Sequence, residues 1–252
     1  MMQIPEIGSK VIFLDTCDST NAELARISGH PETINGTVVL TYEQTAGRGR
    51  RGNSWSSTPN KDLTFSFLIN KPAIRAEQAF LPIAAAAVAC ASYLSAAIPD
   101  RTVAVKWPND ILCAGKKISG MLIENTFSGN ESVKTIVGIG INLNGTEYGN
   151  TRFPATSVFL ETGREPAPAE TLAELLPYLN RAFTQVFTSP ALLMRQYNSL
   201  LYGRTEWVPL SVAGERTEGR LEEVDILGNP VIRNKNGQSI TARADEIQFL
   251  PA

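Results

Sequence analysis

Two short stretches carry residue types that could do chemistry. The first is Gln44-Thr45-Ala46-Gly47-Arg48-Gly49-Arg50-Arg51-Gly52-Asn53-Ser54-Trp55, in which three glycines and three arginines share six consecutive positions. Arginine brings permanent charge and a planar fork of donors that fits carboxylates and phosphates, while glycine lets backbone and ligand approach closely. Together they read as an anion clamp. The second stretch is Lys106-Trp107-Pro108-Asn109-Asp110, followed by Lys116-Lys117-Ile118-Ser119-Gly120. Lys106 and Lys117 sit among apolar neighbours, unlike ordinary solvated lysines. Two lysines beside three arginines suit a strongly anionic reaction centre. Attack of a carboxylate on the α-phosphate of ATP is such a reaction: two anions meet and the protein supplies the positive charge. It needs no protein nucleophile. The single histidine, His30, lies in a turn-like stretch, so no Ser-His-Asp or Cys-His arrangement is available.

Other chemistries fit less well. Gly47-x-Gly49-x-x-Gly52 matches the dinucleotide fingerprint in form, but it runs into Asn53-Ser54-Trp55-Ser56-Ser57-Thr58-Pro59 instead of a helix start. No Gly-Lys-Ser/Thr closes the run, which excludes a P-loop. Arg48 to Trp55 could clamp phosphates and stack on bases. With a formal net charge of -2, however, the chain lacks the broad basic face of a nucleic-acid binder. That module remains the competitor from another functional class.

These stretches need elements to position them. Val11 to Leu14 predicts a strand. The polar run Asp15 to Asn21 follows it, with Asp18, Ser19 and Thr20 as N-cap candidates for a helix over Ala22 to Ile27. A helix N-terminus with hydroxyls beside it also suits a polar ligand. Thr37 to Tyr42 reads as the strand that delivers the chain into the Gly/Arg loop, and Leu63 to Ile69 as an alternating strand stopped by Pro72. A long alanine-rich helix is expected over Glu77 to Ala97, buried rather than membrane-spanning. Strands follow at Val103 to Trp107, Ile111 to Cys113, Ile118 to Glu124 and Thr135 to Asn142. Helices follow at Leu172 to Phe187 and Ala191 to Tyr202. Hairpin-length gaps between strands predict an α+β domain over residues 1–203, with a mixed or antiparallel central sheet and flanking helices. From Arg204 to residue 252 the texture changes to short strands separated by Gly214, Gly228-Asn229 and Asn236-Gly237, which predicts a small closed β-barrel domain. With 252 residues, 43% of them hydrophobic, there is ample material for a core. Three cysteines without metal-ligand spacing, and an N-terminus unlike a signal peptide, fit a reduced, cytoplasmic protein with no membrane partner.

In Asp18-Ser19-Thr20-Asn21, Gln44 to Gly52 with Trp55, Lys106 to Asp110, Lys117-Ile118-Ser119-Gly120 and Gly138-Ile139-Gly140-Ile141-Asn142, the sequence resembles the biotin–protein ligases. The motifs occur in that family's order and at compatible spacing, over roughly residues 10–250. The resemblance implies a class II synthetase-like (biotin–lipoate ligase) fold, with the C-terminal barrel SH3-like. It implies a two-step reaction in which biotin and MgATP give biotinyl-5′-AMP, and a lysine of a biotin carboxyl carrier protein, as in acetyl-CoA carboxylase, then takes the biotinyl group. It also implies the roles. Ser19, Thr20, Asn21 and Gln44 would bind the biotin head group. Gly47, Arg48, Gly49 and Arg50 would line the tail and the adenylate, with Arg51 adding charge on the phosphate side. Lys117 would bridge the biotin carboxylate and the α-phosphate. Gly120, Gly138 and Gly140 would let the ligand lie against backbone. Trp55, Lys106, Asn109 and Asn142 would lie on the nucleotide side, and Asp110 would orient Mg²⁺ or the carrier amine. No residue set reads as a resident metal site.

Asn53 stands where several members carry a basic residue, which weakens the expected phosphate clamp or shifts its work to Arg50 and Arg51. A strand by Val11 leaves no room for the N-terminal helix-turn-helix of some bacterial members, so no DNA partner is expected. A homodimer is open to the chain through an exposed sheet edge. A lipoate–protein ligase, with the same fold and adenylate chemistry, is the alternative enzyme.

Overall fold

The computed structural model describes residues 6–70, 72, 74–148, 153–243 and 246–250. Seven strands form the main sheet: β1 (Lys10–Cys17), β2 (Thr37–Gln44), β3 (Leu63–Asn70), β4 (Val103–Lys106), β5 (Asp110–Cys113), β6 (Lys116–Ser128) and β7 (Glu131–Ile141). Their order is β1-β2-β3-β7-β6-β5-β4. The β1–β2 pair is parallel and every other pair is antiparallel, so the sheet is mixed, as expected.

Alternation along the strands sorts side chains onto two faces. Phe65, Phe67, Val137 and Ile139 enter the main core, against helices α2 (Leu81–Ala97) and α4 (Pro168–Thr188). Phe67 meets Phe183 of α4 edge-on, with ring centroids 5.0 Å apart. Such a ring pair adds about 0.5–1.5 kcal/mol to the burial of the two side chains. The opposite face carries α1 (Thr20–Ile27), whose Leu24 packs on Val39, Leu68 and Ile136. That face of β3 and β7 also carries Thr64, Ser66, Gly138 and Gly140, small or polar residues that leave the sheet open beside α1.

The alanine run of α2 is buried almost all round. By length and composition the segment Ala76–Ala97 could cross a membrane, yet 72% of its apolar 18-residue stretch is buried inside the protein. The helix proper begins at Leu81, four residues later than the expected Glu77, because residues 76–78 form a separate 3₁₀ turn. Helix α5 (Pro190–Ser199) ends before the expected Tyr202; Leu201 instead bridges to Val105 on the edge of β4. A short helix, α3 (Val158–Thr162), has too few residues to show a periodic pattern and was not expected.

Beyond residue 204 lie β8 (Val208–Val212), β9 (Glu215–Val224), β10 (Pro230–Asn234), β11 (Ser239–Thr241) and β12 (Ile247–Phe249), an antiparallel sheet in the order β11-β10-β9-β8-β12. This five-stranded antiparallel sheet is consistent with the small C-terminal barrel expected; among the described residues no ladder joins β11 to β12. It packs on the first sheet's helices. Asn198 of α5 bonds both the N–H and the carbonyl of Val224, and Trp107 Nε1 donates to Gly228 O at 3.1 Å.

Candidate functional site

A cavity of about 150 Å³ opens on the α1 face of the sheet. Its floor is the backbone of β6 and β7 at Gly120, Gly138 and Gly140. One end is walled by the start of α1 and by Gln44, the other by Asn109, Asp110 and Lys117, and the loop after β2 forms the roof.

The α1 end is a chain of hydrogen bonds. Ser19 occupies the N-cap position but its side chain caps nothing; Asp18 Oδ1 instead accepts the Ser19 N–H, and Gln44 Oε1 accepts the Thr20 N–H at 2.8 Å. Thr20 Oγ1 lies 2.7 Å from Ser66 Oγ, which donates to Asn21 Oδ1 at 2.6 Å. Asn21 Nδ2 donates to Glu124 Oε2 at 2.7 Å and to the Leu122 carbonyl at 3.3 Å. Thr20, Asn21 and Ser66 are buried, where unpaired polar groups would be costly, so the chain holds itself in one arrangement.

The other end is ionic. Asp110 accepts from Lys106 Nζ through Oδ2 and from Lys117 Nζ through Oδ1, both at 2.7 Å. Burial alone would raise its carboxyl; the charges and hydrogen bonds of the two lysines outweigh this and hold it below the ordinary carboxylate range. Lys117 Nζ also lies 5.6 Å from the centre of the Trp55 ring, and Lys106 Nζ 4.4 Å from that of Phe153. Three groups thus carry one net positive charge, with Lys117 at the cavity wall. A lowered folded value stabilises the protein above the unfolded carboxylate value, near 3.9, and that contribution fades as pH falls through the lowered value. Asp110→Asn should therefore lower stability at pH 7 and cost progressively less as pH falls below the unfolded carboxylate value toward the lowered folded one. Denaturant titrations from pH 7 to pH 3 test this; an equal deficit at both ends would contradict it.

The roof is ordered as a small hairpin. Arg48 bridges to Ser54, Trp55 N–H bonds Gly47 O, and Arg51 (φ 55°) with Gly52 (φ 78°) forms the left-handed tip. Asn53 supplies shape where a basic residue would supply charge: its Nδ2 donates to Arg50 O at 2.9 Å and its carbonyl accepts the Gly49 N–H. Arg50 reaches inward and donates to Asn109 Oδ1 at 3.2 Å; burial, then the charge of Arg51, hold its guanidinium below its ordinary value. Asn109 Nδ2 in turn donates to Met121 O. Beneath the roof, the Trp55 ring lies on Gly140.

Most of the expected residues therefore meet in one place: Ser19, Thr20, Asn21, Gln44, Arg48, Gly49, Arg50, Trp55, Asn109, Asp110, Lys117, Gly120, Gly138 and Gly140 all line the cavity. Four do not. Gly47 holds its backbone against Gln44 and Trp55, and Arg51 sits at the hairpin tip. Lys106 acts on the cavity through Asp110. Asn142 is buried and donates to Thr156 O at 2.9 Å, tying the end of β7 to the segment before α3. Sequence reading missed Ser66, Glu124 and Thr64. The signal for two of them was there: Thr64 and Ser66 are the polar alternates of an otherwise apolar strand. Thr64 Oγ1 and Trp55 Nε1 are buried without a hydrogen-bond partner among the described residues, as groups that await a ligand would be.

Among the described residues no cluster of three or more His, Cys, Asp or Glu could hold a metal ion. Asp110 is the one acidic residue among those lining the cavity, and lysines occupy both of its oxygens. These side chains do not fit a resident Mg²⁺.

Residues 14–142 match the biotin/lipoate A/B protein ligase family. Over 240 residues the chain is 32% identical to the biotin–[acetyl-CoA-carboxylase] ligase of Paracoccus denitrificans, covering 92% of this chain and 98% of that one. It is 27% identical to the ligase of the same name from Mycobacterium tuberculosis, covering 92% and 86% of the two chains. The solved biotin protein ligase of Aquifex aeolicus in complex with biotin and ATP has a TM-score of 0.77 at 26% identity, over 97% of this chain and 100% of that one. A family match across half the sequence, and a relative covered almost end to end, place this chain in the biotin/lipoate A/B protein ligase family.

Proposed function

We propose that the chain is a biotin–[biotin carboxyl carrier protein] ligase. It activates biotin with ATP as biotinyl-5′-AMP and transfers the biotinyl group to a lysine of a carrier domain. A biotin carboxylate oxygen attacks the α-phosphorus and pyrophosphate leaves. The carrier amine then attacks the acyl carbon, AMP leaves and an amide forms.

One observation supports this reading above the rest: a single cavity has an uncharged hydrogen-bonding end at Thr20, Asn21 and Gln44, held from behind by Ser66, and a cationic end at Lys117 and Arg50. A ureido ring offers donors and an acceptor without charge, so it suits the first end. A carboxylate meeting a phosphate suits the second, where fixed positive charge is worth most when water is excluded. In this reading Gly120, Gly138 and Gly140 carry the biotin tail, while Trp55, Asn109 and the arginines face the nucleotide. Lys117 lies between the two anions. Mg²⁺ enters with the nucleotide substrate. Three free cysteines fit a cytoplasmic setting, and the open edge of β1 is where a second copy would pair.

The test is biotin-dependent exchange of labelled pyrophosphate into ATP, run in parallel with lipoate. Exchange with biotin is the expected result. Exchange with lipoate alone would move the chain to lipoate chemistry, and no exchange with either would overturn the adenylation reading.

A further inference from the structure

The hydrogen-bond chain at the α1 end has a direction, and one residue sets it. Asn21 Nδ2 faces two groups that can only accept, the Glu124 carboxylate at 2.7 Å and the Leu122 carbonyl at 3.3 Å. The amide orientation is therefore dictated by chemistry: the nitrogen points to β6 and Oδ1 must accept. Ser66 then spends its single proton on Asn21 Oδ1. Since that proton is spent, Thr20 must be the donor in the 2.7 Å contact between the two hydroxyls. What remains of the Thr20 hydroxyl toward the cavity is lone pairs. Gln44 Oε1, which accepts the Thr20 N–H at 2.8 Å, is a second acceptor for the same hydroxyl at 3.2 Å, so it draws the Thr20 proton away from the cavity as Ser66 does and does not reverse the chain.

We infer that Glu124 is a positioning residue for ligand recognition: as the terminal acceptor it fixes the donor–acceptor polarity of the whole chain, so that Thr20 presents an acceptor and selects a ligand with an N–H. This rests on the biotin reading above, in which that N–H belongs to the ureido ring. Gly138 is part of the same device. An added Cβ there would come within 2.2 Å of Asn21 Oδ1, so only glycine leaves room for the amide in this orientation. The same Glu124 oxygen also accepts from Arg48 Nη2 at 3.3 Å. The polarity of the head-group end is thereby joined to the roof hairpin. Glu124 lines no part of the cavity and acts only through Asn21 and Arg48.

The experiment measures pyrophosphate exchange by the full chain, varying biotin and ATP separately, for Glu124→Gln, Asn21→Ala and the double variant. Losing a charged acceptor should raise the KM for biotin about tenfold in Glu124→Gln. The KM for ATP and the thermal midpoint should stay close to those of the parent chain. Because Glu124 works through Asn21, Glu124→Gln should add little in the Asn21→Ala background. The parent chain should discriminate against biotin methylated on the ureido nitrogen, and Glu124→Gln should narrow that discrimination. An unchanged KM for biotin, an equal rise in the KM for ATP, or additive effects in the double variant would each overturn the inference. A parent chain without biotin-dependent exchange would instead overturn the function on which it rests.

Discussion

Lys117→Ala is expected to slow biotin-dependent pyrophosphate exchange about 10²-fold or more, the usual effect of removing one preorganised contact from a developing charge. The geometry singles out this lysine. Its Nζ lies at the cavity wall beside Gly120, 2.7 Å from Asp110 Oδ1, whereas Lys106 bonds the same carboxylate from outside the cavity lining. Asp110 holds Lys117 in place without neutralising the group, since two lysines share one carboxylate. Lys117→Ala leaves Asp110 paired with Lys106 alone, so the site loses a net charge of +1 where two anions must meet. Arginine should not rescue it, because a planar fork cannot take the place of a compact ammonium between two ligands. The Lys117 side chain is 29% exposed, so the variant should remain folded, and the loss should fall on kcat rather than on the thermal midpoint. Full exchange activity in Lys117→Ala would remove it from the chemistry.

The second large effect is expected from Gly138→Ala, and its contrast with Gly140→Ala is informative. An added methyl at either position would come within 2.2 Å of another side chain. At Gly138 the obstacle is Asn21, pinned by Glu124, the Leu122 carbonyl and Ser66. At Gly140 it is the Trp55 ring, whose Nε1 has no partner among the described residues. A pinned group cannot yield and a ring without that anchor can. Overpacking costs about 1–3 kcal/mol, so Gly138→Ala should raise the KM for biotin roughly 10- to 100-fold. Gly140→Ala should shift Trp55 and show the larger change in its fluorescence. Equal effects of both on the KM for biotin would contradict the assignment of the two ends.

Much of this was legible in the sequence because it rests on local signals. A β-branched apolar run placed β2, alternation placed β3, and the Ala114-Gly115 hairpin turn, with φ of 48° and 78°, separated β5 from β6. The Gly/Arg run and the Lys106 to Gly120 run announced a shared anion site, and the sheet order brings them together by setting β6 beside β7 and β5. What stayed hidden depends on contacts between distant positions. Glu124 acquires its role only because α1, some hundred residues earlier, lays Asn21 across β7. Asn142, placed on the nucleotide side by the resemblance, donates to Thr156 O while its buried Oδ1 has no partner among the described residues, a pairing across fourteen residues that local patterns do not announce. Ser19 takes the N-cap position that the sequence offered, but the groups meeting the helix N-terminus are Asp18 and the distant Gln44 rather than the Ser19 hydroxyl, and the Gln44 contact was not readable locally. At the C-terminus turn spacing placed the short strands but not their order, which depends on pairing between strands.

The central claim is that one cavity first activates biotin and then releases it to a protein amine. It is tested most directly by incubating the full chain with biotin, ATP, Mg²⁺ and an apo-carrier domain, and then locating the product by mass spectrometry. The account predicts one biotinyl increment on a single carrier lysine, dependent on ATP and formed about 10²-fold more slowly, or slower still, by Lys117→Ala. An unmodified carrier, or a lipoyl increment when lipoate is supplied and none with biotin, would contradict it.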